Sequence, residues 1–265
     1  MPAFAGMTIL LTLDITIMKI LCFINHVPDT ETKVKVSGDG KLLDPTGINY
    51  MLNPYDEFAV EEGLKLKEKF GGEVVAVSLG GDSHKDTLRK ALAMGVDKAV
   101  LLKDANPRDS FSLAQSLAEY AKEYSPEIIL FGKQSIDYDD AQVGGLVAEM
   151  LNLPSISVVV KLEITDGKVI AHREIEGGHE IVHSKLPIVI IAQKGLNTPR
   201  YPSLKGIMDA KRKPIEEKTV TANSPKIEVI ALRKPPAKNP GKIVGTDASA
   251  VPELVRLLHE EAKVI

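Results

Sequence analysis

Three things are scarce in this sequence: cysteine, net positive charge and long apolar runs. Cys22 is the single cysteine, which excludes a disulfide within the chain and a thiolate metal cluster and favours a reducing, cytoplasmic compartment. The 33 lysines and arginines are outnumbered by 36 aspartates and glutamates, so we expect no nucleic-acid partner. The apolar stretch near the N-terminus is interrupted by Asp14 and Lys19, which leaves it shorter than the roughly 20 residues of a membrane span.

Residues 1–17 are best interpreted as an N-terminal extension. They carry no lysine or arginine ahead of their apolar residues, which is unlike a secretory signal. The apolar pattern of a buried strand begins just after Met18, so an upstream start codon chosen in error is one explanation for the extension.

The chain beyond Met18 alternates between short apolar runs and helical patterns. Its content of 44% hydrophobic and 26% charged residues is that of a globular protein. The apolar runs are Ile20–Ile24, Val74–Leu79, Ala99–Leu102 and Ile128–Phe131, and the helical patterns begin near Asn53, Ser83, Asp109 and Ala141. Strands alternating with helices predict an α/β fold, a mainly parallel sheet flanked by helices, with ligands beyond the carboxyl ends of the strands.

The helix starts carry recognisable signals. Asn53 is expected to cap the first helix and Ser83 the second, since short polar side chains satisfy the free amides of a first turn. Asp56 falls at the positive end of the first helix dipole. Glu61 and Lys65 are spaced to pair on its outer face.

After Pro154 the pattern changes to that of antiparallel strands. The predicted meander comprises Val158–Leu162, Val169–Ile175, Ile181–Val182 and Ile188–Ile191. Residues 194–213 are rich in proline, glycine and basic side chains and are expected to form a loop. Residues 224–265 are expected to form an extended arm around a partner, ending in a short helix from Pro252 to Lys263, so that 18–223 make up the nucleotide-binding domain.

The glycine-rich segment 132–145 follows the fourth predicted strand and opens the fourth helix. Gly132 lets backbone approach a ligand, and polar side chains that suit hydroxyls or a base edge follow at Gln134, Asp137, Asp139 and Gln142. This is the position of a phosphate or ribose site. A surface turn whose acids merely cap the helix is the alternative. The six histidines show no metal-binding spacing, so no metal is expected.

The basic segment 194–213 contains apolar residues in a charged setting: Leu204, Ile207 and Met208. Exposed apolar residues of this kind suggest a contact with another protein, although basic loops are usually only solvated.

Several motifs together resemble the β subunit of electron transfer flavoprotein. They are VPDTETKVKV (27–36), LNPYDEFAVEEGLKLKE (52–68), ALAMGVDKAVLL (91–102), GKQSIDYDDAQVGG (132–145), REIEGG (173–178) and LNTPRYPSLKGIMDAKRKPIE (196–216). The resemblance implies a Rossmann-like, adenine-nucleotide-binding fold and a heterodimer with an α subunit that holds most of an FAD. It further implies a redox carrier in fatty acid oxidation, not an enzyme with catalytic side chains: electrons come from acyl-CoA-type dehydrogenases and go to an acceptor such as a membrane quinone oxidoreductase.

The resemblance also implies site residues. Those for an adenine nucleotide, AMP, are Phe23, Asn53, Pro54, Tyr55, Asp56, Leu79, Gly132, Lys133, Gln134, Ser135, Ile136, Asp137, Tyr138, Asp139, Asp140, Ala141, Gln142 and Val143. Tyr55 takes the aromatic position close to the flavin, and Leu204 takes the anchor that enters an apolar pocket of the dehydrogenase. Arg200 and the basic run Lys211, Arg212 and Lys213 are implied to steer acidic partners.

Two alternatives stay open. Ala141, Gln142 and Val143 resemble family members that hold a second FAD in place of AMP and bifurcate electrons. Tyr138, Asp140 and Gly145 depart from that pattern. A stand-alone adenine-nucleotide-binding sensor of similar build explains the crevice, but not the basic segment or the proline-containing arm.

Overall fold

A computed structural model of the chain describes residues 18–104, 106, 108–220, 224–237 and 240–265. The extension predicted for residues 1–17 lies outside the described residues. The strands are β1 (Lys19–Phe23), β2 (His26–Pro28), β3 (Tyr50–Leu52), β4 (Glu73–Gly80), β5 (Lys98–Lys103), β6 (Ile128–Gly132), β7 (Ser155–Thr165), β8 (Lys168–Ile175), β9 (Gly178–Lys185), β10 (Ile188–Ala192) and β11 (Ile215–Thr219). The helices are α1 (Pro54–Phe70), α2 (His84–Met94), α3 (Ser110–Tyr124), α4 (Val143–Leu151), α5 (Leu204–Arg212) and α6 (Val251–Arg256).

One nine-stranded sheet, in the order β11-β5-β4-β1-β6-β10-β7-β8-β9, organises the fold. The strands from β11 to β7 are parallel, and β7, β8 and β9 are antiparallel. The predicted α/β architecture with a mainly parallel sheet and added antiparallel strands is therefore confirmed. A separate antiparallel pair, β2 and β3, was not predicted, since each has only three residues.

Alternate residues of the buried strands face two cores. On β1, Ile20 and Cys22 pack in the core that contains α1 and α2, whereas Leu21 and Phe23 pack in the core that contains α3 and α4. Both faces of the sheet are thus covered by helices, which explains why these strands are continuous apolar runs and not alternating patterns.

The last strand of the predicted meander was assigned wrongly. Ile188–Ile191 belongs to β10, which lies parallel between β6 and β7. All five residues of β10 are buried, and a strand that is apolar on both faces is stable only inside the sheet. The three strands before it do form the predicted antiparallel meander, with a turn at Asp166 and Gly167.

The loop predicted for residues 194–213 is also partly wrong, because its second half is α5. Ser203 caps this helix by accepting a hydrogen bond from the Gly206 N–H at 3.0 Å. Pro202 and Pro214 lie outside the helix, so the prolines of this region mark the boundaries of a helix and not a continuous loop. A further strand, β11, follows α5 and adds to the edge of the sheet beside β5.

The described residues divide into two compact units. The first contains the described residues up to Val34 and Pro45–Glu228, and the second contains Lys35–Asp44 and Val229–Ile265. Within the second unit, the Leu232 N–H donates to the Gly40 carbonyl at 2.7 Å. Its helix α6 continues into a π-helical turn at Leu257–Glu261, close to the helix predicted from Pro252. Among the described residues, no helix has both the length and the apolarity required to cross a bilayer.

The close contact between α1 and the sheet gives a first prediction. A Cβ atom on Gly63 would lie 3.0 Å from the Cys22 sulfur and 3.2 Å from methyl carbons of Ile20 and Leu130. We expect Gly63→Val to lower the free energy of unfolding by about 1–3 kcal/mol through overpacking, as measured by chemical denaturation. Lys69→Val, at an exposed position of the same helix, is the control, and equal losses in the two variants would contradict this packing.

Candidate functional site

The candidate site is a crevice at the carboxyl ends of β4, β1 and β6. These three strands are neighbours in the sheet, and the chain leaves β1 towards β4 on one side and later returns to β6 on the other. Strand order therefore reverses at β1, and a crevice at such a switch point is where open α/β sheets bind ligands. The predicted segments after the first, second and fourth strands and at the start of the first helix meet here.

The carboxylate of Asp56 joins these segments. It is 1% exposed, and its Oδ2 accepts hydrogen bonds from the Asn25 N–H at 2.7 Å and from Asn25 Nδ2 at 3.2 Å. Its Oδ1 accepts the Gly132 N–H at 3.0 Å. Burial raises the pKa of Asp56 to about 7, although the hydrogen bonds from Asn25 and Gly132 oppose the shift. Asp56 does lie in the first turn of α1, as predicted, but it connects the ends of two strands.

Asn53 does not cap α1 with its side chain, contrary to the sequence prediction. The side chain is fully buried and points to the segment after β6, where Nδ2 donates to the Gln134 carbonyl at 2.9 Å. Its Oδ1 accepts the Ile136 N–H at 3.3 Å. The residue that precedes the first helix thus holds the start of the glycine-rich segment. Ser83 likewise makes no side-chain cap at α2.

The glycine-rich segment is held in an unusual backbone conformation. Asp139 and Ala141 have φ angles of 55° and 53°, which are costly for residues other than glycine. The Gln134 side chain donates to Asp139 Oδ1 at 2.7 Å, and Asp139 N–H donates to the Ser135 carbonyl at 2.9 Å. These contacts close the segment on itself ahead of α4, which begins at Val143 and not at the predicted Ala141.

Polar side chains of this segment remain accessible. Asp137, Asp139, Asp140 and Gln142 are exposed, and Tyr138 is 70% exposed. Carboxylates and amides that face solvent beside a helix start are able to bind the hydroxyls and base edge of a nucleotide. The structure therefore brings Asn53, Asp56 and the residues from Gly132 to Val143 together, as the sequence predicted.

Three other predicted residues take part differently. The ring of Phe23 is buried and stacks on Phe131 with 4.9 Å between ring centroids, so only its backbone is available to a ligand. Leu79 is half-buried near the end of β4. Lys133 is half-buried as well, and its N–H donates to the Ala192 carbonyl at 2.8 Å, which ties the segment to β10.

Sequence reasoning did not find a stack of rings beside this crevice. His26 lies between Tyr50 and His84, with ring centroids 4.4 Å and 4.7 Å away. Burial, reinforced by the nearby His26, lowers the pKa of His84 to about 4, so its ring is neutral at pH 7. The only signal in the sequence is that histidines occur just after the first strand and at the start of the second helix. Within the described ranges, no cluster of histidine, cysteine or acidic residues suits a metal ion.

The residues predicted to contact partners fall into two groups. Leu204, Ile207 and Met208 of α5 are 83%, 41% and 59% exposed, and Lys211 and Arg212 are exposed beside them. Lys213 instead turns inward, since its Nζ donates to the Val96 carbonyl at 2.8 Å.

Arg200 is also engaged within the chain. Its guanidinium binds Glu61 at 2.8 Å, and Glu61 is buried. The predicted pair of Glu61 and Lys65 on the outer face of α1 is therefore wrong: Lys65 binds Glu62 at 3.3 Å. Glu61 pairs with Arg200, which is distant in sequence, because the guanidinium binds both oxygens of the carboxylate and a lysine could not.

The glycine at the end of β6 gives the prediction for this site. A Cβ atom on Gly132 would overlap Asp56 Oδ1 and the backbone of Tyr55. We expect Gly132→Ala to lower the free energy of unfolding by about 1–3 kcal/mol, because the carboxylate that joins the strands must move.

Gly145 is the matched control, since a Cβ there meets no atom within 4 Å and the residue lies in α4. Gly145→Ala should be neutral or stabilise the helix by up to about 1 kcal/mol. The same denaturation curves measured for both variants test the contrast, and similar losses would show that the crevice is not packed as described.

The chain matches known proteins over most of its length. Residues 42–223 match the model of the electron transfer flavoprotein domain. A protein named electron transfer flavoprotein subunit beta from Bacillus subtilis (strain 168) is 42% identical over 259 residues, covering 94% of this chain and all of the relative. A relative with the same subunit name from Syntrophomonas wolfei is 42% identical over 225 residues, covering 84% of this chain and 88% of that protein. A relative from Arabidopsis thaliana, whose name adds mitochondrial, is 36% identical over 255 residues, covering 94% of this chain and 100% of that protein. The crevice, the exposed face of α5 and these matches lead to one conclusion: the chain belongs to the electron transfer flavoprotein family, as a β subunit.

Proposed function

We propose that this chain pairs with an α subunit to form a heterodimeric electron carrier. In this carrier, electrons arrive from acyl-CoA-type flavin dehydrogenases and leave to a downstream acceptor such as a membrane quinone oxidoreductase. The observation that carries the proposal is the surface of α5, where Leu204 stands 83% exposed among basic side chains. An exposed apolar anchor within a charged rim suits transient docking of acidic partners. A stand-alone sensor would have no use for such a surface.

The crevice is proposed to hold AMP. The polar groups of the crevice fit this ligand. The exposed carboxylates can accept hydrogen bonds from ribose hydroxyls, the Gln142 amide suits the base edge, and the backbone N–H groups at the start of α4 can bind a phosphate. Gly132 leaves room for the first turn of α1 at the end of β6, since a Cβ there would overlap Asp56 Oδ1. AMP bound here would stabilise the folded chain by mass action and take no part in electron transfer.

The residues of this chain do no acid–base chemistry in the proposed function. FAD, held mostly by the α subunit, supplies the redox chemistry when bound. Tyr55, at the start of α1, is proposed to face that flavin and exclude water from it. The chain thereby sets distance, polarity and partner access.

A second FAD in the crevice is the alternative, favoured by the run Ala141, Gln142 and Val143. That arrangement would make residues 132–143 a redox site of a bifurcating flavoprotein. AMP and a second FAD would occupy the same crevice, so the amounts of FAD and AMP bound per heterodimer decide between the two alternatives.

The experiment that tests the proposal is nucleotide analysis of the heterodimer. The chain is co-purified with its α subunit, denatured, and the released FAD and AMP are quantified per heterodimer. One FAD and one AMP are the expected result. Two FAD without AMP would establish the bifurcating alternative, and absence of flavin would contradict both.

Truncation of the proposed anchor tests the docking surface. Leu204→Ala should lower kcat/KM for reduction by the donor dehydrogenase by tenfold or more, the cost of removing an apolar anchor that contributes about 1.4 kcal/mol. FAD content should stay unchanged, because Leu204 lies outside the crevice.

Leu204→Met keeps an apolar, helix-forming side chain and should retain most of the activity. If Leu204→Ala transfers electrons as fast as the parent, Leu204 is not the anchor.

A further inference from the structure

The segment between β10 and α5, residues 193–203, is attached to α1. Arg200 and Asn197 supply the attachment, and both bind acidic residues of α1 that are almost completely buried. We propose that Arg200 is a positioning residue that orients α5 for docking through Glu61, and that it is not a contact for the charges of a partner. This proposal rests on the function proposed above for the α5 surface.

The contact between Arg200 and Glu61 fixes both the side chain and the backbone. Arg200 Nε donates to Glu61 Oε2 at 2.8 Å, and Nη2 donates to Oε1 at 2.9 Å. The Arg200 backbone N–H donates to the same Oε2 at 3.1 Å. Such a two-pronged pair restricts the arginine to one orientation, which a lysine or a solvated charge would not do.

A second attachment lies three residues earlier along the segment, at Asn197. Asn197 Nδ2 donates to the Phe58 carbonyl and to Glu62 Oε2, each at 2.9 Å. Glu61 and Glu62 are 5% and 4% exposed, so neither can meet a partner protein. Buried carboxylates are costly unless they are paired, and their partners here are supplied by the segment that leads to α5.

The path from Arg200 to the proposed anchor is short. Only Tyr201, Pro202 and Ser203 separate Arg200 from Leu204, and Ser203 already caps α5. Proline restricts the backbone of this path, so a change at Arg200 shifts the start of the helix. The other end of α5 is held separately, by Arg89 Nη1 on the carbonyls of Ala210 and Lys213.

Charge makes Arg200 a poor steering residue. Its guanidinium also binds Glu68 Oε1 at 2.6 Å, so two carboxylates surround one positive charge. The guanidinium holds the pKa of Glu68 below its usual value, which keeps that acid ionised. An approaching acidic partner would therefore meet a neutral or negative site here, and the positive charges it would meet on α5 are those of the exposed Lys205, Lys211 and Arg212.

The two roles predict opposite effects of Glu61. If Arg200 steers partners, Glu61→Gln frees its charge and leaves docking unchanged or improved. If Arg200 positions α5, Glu61→Gln and Arg200→Gln cause the same defect, and the double variant is no worse than either single one. Glu68→Gln is the control, because Glu68 is exposed and binds a single nitrogen of Arg200.

The experiment uses the purified heterodimer with its donor dehydrogenase. We expect Arg200→Gln and Glu61→Gln each to raise KM for the donor about tenfold with kcat nearly unchanged, and with the parent's dependence on salt. Amide exchange over residues 197–206, measured without any donor, should become faster in both variants, while FAD content stays the same. Glu68→Gln should have little effect in either measurement.

Two results would overturn the proposal. The first is a raised KM with a weaker salt dependence in Arg200→Gln but not in Glu61→Gln, which would make Arg200 a steering charge. The second is unchanged amide exchange in both variants. Failure of the proposed function gives a different result. In that case amide exchange is still faster in the Arg200 and Glu61 variants, but neither these variants nor Leu204→Ala change the donor kinetics.

Discussion

A buried carboxylate with three N–H groups directed at it is the constraint on which the crevice depends. Asp56 reaches the Asn25 backbone after β1 and the Gly132 backbone at the end of β6, so the first turn of α1 fixes the distance between two strand ends. Gly132 must lack a side chain for this contact to form. Asn53, one turn earlier, holds the next stretch of the segment through Gln134 and Ile136. The shape of the crevice follows from these bonds, since its exposed polar side chains lie on that segment.

Helix α1 connects this crevice to the surface that we assign to docking. Its first turn carries Asp56, and the next turns carry Glu61 and Glu62, which bind the segment leading to α5. The middle of the helix packs on β1 through Gly63, so the helix cannot slide against the sheet without losing close contacts. The electron carrier proposed above would have to hold a flavin, a nucleotide and a partner surface at fixed separations, and one helix bound at several points would meet that requirement.

The sequence was most informative where periodicity and family motifs agreed. The buried strands, α1 to α4 and the segments that meet at the crevice were predictable, because continuous apolar runs and helix stripes indicate burial directly. The motif around Asn53 and Asp56 indicated the site, but not the bonds that make it. The partners of Asn53 and Glu61 were predicted wrongly, because spacing rules for helices consider only residues within a few positions. Their actual hydrogen-bond partners lie 81 and 139 residues away. The same limit explains the errors at β10 and α5. A run of five buried apolar residues does not indicate whether a strand is parallel or antiparallel, and prolines occur at helix boundaries as well as in loops.

The most direct test of this account is the nucleotide content of a heterodimer that carries Asp56→Asn. An amide of the same size offers one acceptor where the carboxylate offers two, so either Gly132 or Asn25 would face an NH₂ group. The account predicts that the nucleotide of the crevice, whether AMP or a second FAD, is lost or greatly reduced, while the FAD held by the α subunit stays at its parental level. Parental amounts of both nucleotides in this variant would contradict the claim that Asp56 shapes the site.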